Sequence, residues 1–208
     1  MGQHKEPGRE KRGLRACFFG KLLDLAEKHK VQPAASIQIQ ILMGTTARAF
    51  GVRSGQVWYL HSDKALRRYA DFTVACMRGF EGKESAAGLS RRLFQSAFRL
   101  GRRIRVITGF TTHEDQSRLV FFLYRTIGIS MTGRLPGEFT VAHCYFSRFY
   151  TPKQCALMSA MDAGIISGIC GGGRLVFTER ITEGCGRCHG CLRMHPVIQA
   201  GSGPRNKV

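Results

Sequence analysis

One tryptophan, six prolines and only 14 acidic residues occur in this 208-residue chain. Each shortage narrows what the protein is. No apolar run approaches the ~18 residues that a membrane-spanning helix needs. The opening stretch, Met1 to Arg12, is polar and has no apolar segment of the kind a secretory signal requires. It carries Glu6 where the myristoylation pattern needs Ser or Thr. The expectation is therefore a cytoplasmic protein with no membrane span, whose thiols are reduced or metal-bound and not paired in disulfides. The length suits a single domain over 13–195, with disordered tails at 1–12 (basic) and 196–208. No internal repeat is visible, and a homo-oligomer stays open.

The shortage of acids leaves 32 basic residues nearly unopposed, for a formal charge of +18. Lys5, Arg9, Lys11, Arg12 and Arg15 form a loose cluster, and Arg91, Arg92, Arg99, Arg102, Arg103 and Arg105 a tighter one. Such a balance fits either nucleic acid or a small anionic substrate. No nucleic-acid-binding motif accompanies the cations, so the small anion is the expected partner.

Apolar spacing predicts helices first. Leu14, Phe18, Leu22 and Leu25 fall on one face; a second helix spans Ala34 to Phe50; Ser62 and Asp63 cap a third; and a basic fourth runs from Glu84 to Arg105. A short strand is expected at Val57 to Leu60. Beyond Gly109 the period reads as strands: Arg118 to Arg125, apolar on both faces, as a central strand, and Phe139 to Phe146 as a second, after a turn at Gly133, Pro136 and Gly137. Thr151-Pro-Lys-Gln154 opens a helix that should stop at the glycines 171–173. Arg174 to Ile181 and Cys188 to Met194 complete a sheet of three to four strands. The expected class is α+β, about four helices followed by a small antiparallel sheet with one inserted helix.

Six of the eight cysteines fall between Cys144 and Cys191. Within that region Asp162 sits on a helix face with Cys155, Ser159, Ile166 and Ile169, while Leu157, Met161 and Ile165 line the other side. A carboxylate so placed is hydrogen-bonded, paired with a cation such as Arg180, or raised in pKa. Either catalysis or a satisfied structural Asp accounts for it. Glu179 shares a strand face with Leu175 and Phe177, so it lines a pocket or ends the strand. His143 and Cys144 are adjacent but point to opposite sides of an alternating strand, which argues against a dyad between them. Cys155 and Cys170 read as packing residues. The glycine run 168–173 follows a helix instead of preceding one, so it is a helix stop and not a phosphate loop.

Cys185-Gly-Arg-Cys188-His189 spells the haem-attachment pattern, which the absence of an export signal sets aside. Cys185, Cys188, Cys191 and His195 have spacing that could hold zinc or an iron–sulfur cluster. That reading requires a loop at 188–194, because a strand would send Cys188 and Cys191 to opposite faces.

The order Cys144, Tyr150, Pro152, Cys155, Asp162, Leu175-Val-Phe177, Glu183-Gly184, Cys188 resembles the L-2-amino-thiazoline-4-carboxylic acid hydrolase family over the last third of the chain. More distantly, 164–188 is similar to small-molecule-sensing 4-vinyl reductase domains. The first resemblance implies hydrolytic opening of a small anionic heterocycle or amidine-like substrate without a required cofactor. By position it implies Asp162 as acid/base, Cys144 as nucleophile or pocket thiol, and Cys188 as a further site thiol. Arg148 or Arg180 would anchor the substrate carboxylate, with Glu179 and His143 beside it. A thiol-ligated metal protein and a non-catalytic sensor of small ligands are the competing expectations.

Overall fold

The computed structural model describes residues 7–29, 34–80 and 85–194, with side chains described for 13–25, 35–80 and 85–194. Five helices come first: α1 (Pro7–His29), α2 (Ala34–Phe50), α3 (Ser62–Phe80), α4 (Ala86–Thr108) and α5 (His113–Thr126). Strands β1 (Ile129–Gly133) and β2 (Gly137–Cys144) follow, then α6 (Pro152–Cys170), β3 (Arg174–Glu179) and β4 (Cys188–Arg193). The four strands form one antiparallel sheet in the order β1-β2-β4-β3. The α+β class is as expected. One cluster of buried side chains joins helices and sheet, from Ile39 to Leu192. Residues 1–6 of the expected N-terminal tail and the whole expected C-terminal tail, 196–208, lie outside the described residues, and α1 begins at Pro7, within the first of these tails.

Three elements differ from the sequence expectation. Residues 118–125 belong to α5 and not to a central strand. Thr112 caps that helix, its hydroxyl accepting the Asp115 N–H at 3.1 Å, and Glu114 and Asp115 face the positive end of the helix dipole. Its segment is apolar all round because Leu119, Val120 and Tyr124 are buried while Phe121 and Leu123 pack against the same core. The strand expected at Val57 to Leu60 is a turn closed by Leu60 N–H to Val57 O at 2.9 Å. A short strand not foreseen, β1, forms the sheet edge and joins β2 through a turn at Leu135-Pro136, whose peptide bond is cis.

Helix α6 is the centre of the molecule. Thr151 and Gln154 make a reciprocal capping box, Pro152 takes the first turn, and Gly171 at φ 87° ends the helix in the left-handed conformation. It runs parallel to α4 at unusually close range. A Cβ on Gly164 would lie 2.5 Å from Phe94 O, and one on Gly168 would lie 2.6 Å from Phe98 O. Gly101 of α4 returns the contact, its absent Cβ leaving room for the Ile165 carbonyl. Only glycine permits backbone-to-backbone approach at these positions.

Candidate functional site

Between α1, α2, α5 and α6 lies a cavity of about 520 Å³. Leu, Ile, Phe and Met side chains make most of its wall. The polar residues in its lining include Asp162, Gln38, Thr108, Ser147, Tyr69, Tyr124 and Tyr150. Among the described residues that line it there is no lysine, arginine or histidine. Leu22, Ile37 and Ile41 belong both to the wall and to the exposed surface, so the cavity opens between α1 and α2.

Asp162 is half-buried, and the cavity is the space it faces. Apolar walls instead of bulk water therefore set its environment. Burial pushes its carboxyl from 3.8 up to about 6, against the opposing influence of the Tyr124 hydrogen bond and the Arg180 charge. Tyr124 Oη donates to Asp162 Oδ1 at 2.8 Å. Two more tyrosines are held nearby by threonines: Tyr69 Oη pairs with Thr46 Oγ1 at 2.9 Å and Tyr150 Oη with Thr73 Oγ1 at 2.7 Å. Burial, and then the Asp162 charge, raise Tyr124 far above the ordinary phenol range. Burial raises Tyr69 and Tyr150 as well, so all three hydroxyls stay neutral at any working pH.

The sheet delivers thiols to the same place through an irregularity. Met131 pairs with Val141 but Ser130 with His143, so Ala142 is an extra residue in β2. This bulge reverses the alternation beyond it. Cys144 consequently turns to the face that holds Phe139 and Val141, where strict alternation had placed it on the opposite one, and it lines the cavity. His143 is exposed, its Nδ1 3.1 Å from Gly128 O. Cys188 pairs with Val141 and is buried on that same face, its sulfur accepting the Ile181 N–H at 3.4 Å. Burial raises both thiols, Cys144 to about 12, and the Asp162 charge acts on each in the same direction. Cys155, expected to be a packing residue, also lines the cavity, about two helical turns before Asp162.

The remaining candidates lie apart. Arg148 stacks over Tyr145 at 4.1 Å and Phe149 at 5.1 Å. Arg180 reaches Asp162 electrostatically but makes its direct contacts with Glu183 Oε1, at 3.2 Å, and the Phe177 ring, at 5.3 Å. Its Nε is buried without a hydrogen-bond partner among the described residues. Glu179 is exposed at the end of β3, 3.9 Å from Arg187, which answers the pocket-or-strand-end question in favour of the strand end.

Comparison with protein-family models, curated proteins and solved structures gives no match.

For the metal reading, β4 is a strand through both thiols: Cys188 is on the buried face and Cys191 opposes Glu138 on the other. The loop that a shared ion requires at 188–194 is absent over 188–193. Among the described residues no three His, Cys, Asp or Glu side chains group to hold an ion, and His195 lies outside them.

Sequence reasoning missed Tyr124 and Tyr69, and named Tyr150 only within the family resemblance, with no role in the site. Tyr124 was hidden by the strand assignment of α5. A helical reading of 113–126, available from the Thr112-His-Glu-Asp115 start, would have exposed it.

Proposed function

We propose that the chain binds a small, largely apolar molecule that carries a basic nitrogen or N–H donor, with Asp162 as its polar anchor. The observation that supports this is the pairing of Asp162 and Tyr124 inside an apolar cavity with no cation in its described lining. Apolar walls supply affinity, and a few convergent polar groups supply orientation. An anionic head would meet a carboxylate and no cation in the described lining, whereas a protonated amine or amidine would neutralise the carboxylate and regain a charge-assisted hydrogen bond. The anion implied by the thiazoline hydrolase resemblance fits this lining less well than the amidine-like C=N of the same substrate class.

A second reading, hydrolysis at such a C=N carbon, is supported by the pKa of Asp162. A carboxyl near 6 divides between base and acid close to neutral pH, as activation of water and protonation of a leaving group demand. In that reading Asp162 handles the protons. Cys144, held as a neutral thiol, is a wall group and not a nucleophile.

Calorimetric titration with a phenylalkylamine, the alcohol of equal length and the matching phenylalkanoate tests the binding. The amine should bind tightest and the carboxylate weakest, and Asp162→Asn should erase the preference for amine over alcohol. Tightest binding of the carboxylate would overturn the proposal.

A further inference from the structure

The apolar stripe of α1 turns outward instead of into the core. Leu14, Phe18, Leu22 and Leu25, with Ile37 and Ile41 of α2, are all between 48% and 70% exposed. Leu22, Ile37 and Ile41 also form the cavity wall, so this outer face is continuous with the cavity mouth. At 100° per residue the α1 stripe covers an arc of about 80°, with Lys21 and Arg15 each about 20° beyond an edge. Both are exposed. Helix α4, against which α1 packs, exposes Arg99, Arg102 and Arg103.

We infer that this face docks on the surface of an anionic lipid bilayer, with the cavity mouth turned toward the acyl chains. A face that lies on an anionic bilayer needs an apolar stripe bordered by cations, and the outward side of α1 has that arrangement. On its inner side Leu23 is buried and Phe19 packs on the core. Charge selects the partner. Two copies meeting through this face would bring together chains of +18 each, whereas an anionic headgroup layer attracts the same charge. Among the described residues no helix is long and apolar enough to cross a membrane, so the contact is peripheral. The docking goes beyond the ligand reading and stands without it. Where both hold, an apolar ligand passes from the bilayer to the Asp162 end of the cavity without crossing water.

Cosedimentation of the full chain with vesicles tests the inference. Binding is expected to phosphatidylcholine vesicles containing phosphatidylserine, to fall with added salt, and to be much weaker on phosphatidylcholine alone. Replacing Leu14→Ser and Phe18→Ser together, neither of which lines the cavity, should weaken the anionic-vesicle binding roughly tenfold or more. Asp162→Asn should leave it unchanged, so a failure of docking and a failure of the amine preference are separately visible. Three results would each overturn the inference: no binding to anionic vesicles, equal binding by the double variant, or a dimer in sedimentation equilibrium that the double variant abolishes.

Discussion

Replacing Asp162 by Asn should make the protein more stable at neutral pH, and the gain should depend on pH in a defined way. The native carboxyl holds its proton up to about 6, against an ordinary value of 3.8. Below pH ~4 the carboxyl is protonated in both folded and unfolded chains, and the raised pKa costs nothing. Between pH ~4 and ~6 the unfolded chain ionises while the native one resists, so wild-type stability declines relative to the variant. Above pH ~6 both states are ionised and the full difference is present. Two pKa units correspond to about 3 kcal/mol. For a chain of this length that is roughly 6 to 12 °C in melting temperature, as an upper bound. The Asn amide carries no charge, so its own burial shifts the variant's stability by the same amount at every pH. Thermal melts of both proteins followed by circular dichroism from pH 4 to pH 8 give the variant-minus-wild-type difference, which should climb through that window and then level off. Parallel curves for the two proteins across the whole range would refute the raised carboxyl and, with it, the desolvated site.

Tyr124→Phe removes the hydrogen bond that holds the Asp162 pKa down. The carboxyl should therefore titrate at a still higher pH, read from its infrared protonated-acid band, and an unchanged midpoint would contradict the pairing. Cys144, with its thiol pushed up to about 12, should react with iodoacetamide at pH 8 about a thousandfold more slowly than an ordinary thiol. Mass spectrometry of a labelling time course, with exposed Cys17 as internal comparison, measures this, and similar rates at the two sites would reject it. Gly168→Val should destabilise the fold by about 3 kcal/mol or more in urea denaturation, because its Cβ would strike the Phe98 carbonyl. Gly44→Ala, where an added Cβ meets nothing within 4 Å, should instead be neutral or stabilising by about 0.5–1 kcal/mol.

Much of this architecture was legible in local signals. Thr151-Pro-Lys-Gln154 and Gly171 state the ends of α6 unaided, because capping is satisfied within a few residues. The placement of Asp162 on the face of Cys155 followed from helix periodicity on α6. What periodicity could not carry was the bulge at Ala142. Strict alternation put Cys144 on the face away from Phe139 and Val141, and a single inserted residue put it beside them. Helix α5 was misread for a different reason: a helix buried on two sides loses the polar stripe that distinguishes it from a central strand. The outward turn of Leu14, Phe18, Leu22 and Leu25 was also invisible, since a stripe records that a face is apolar and not what covers it.

The glycine-mediated contact of α4 and α6 has a mechanical consequence. Asp162 stands two residues before Gly164, where the two backbones are locked together, so the carboxylate is mounted on a stiff strut. The entrance is built otherwise: Leu23 is the single fully buried side chain described on α1. For the proposed ligand, molecules of different length would share one anchored head while their tails reach the less buried entrance helix. Selectivity would then reside in the head's chemistry, and tolerance in the tail's size.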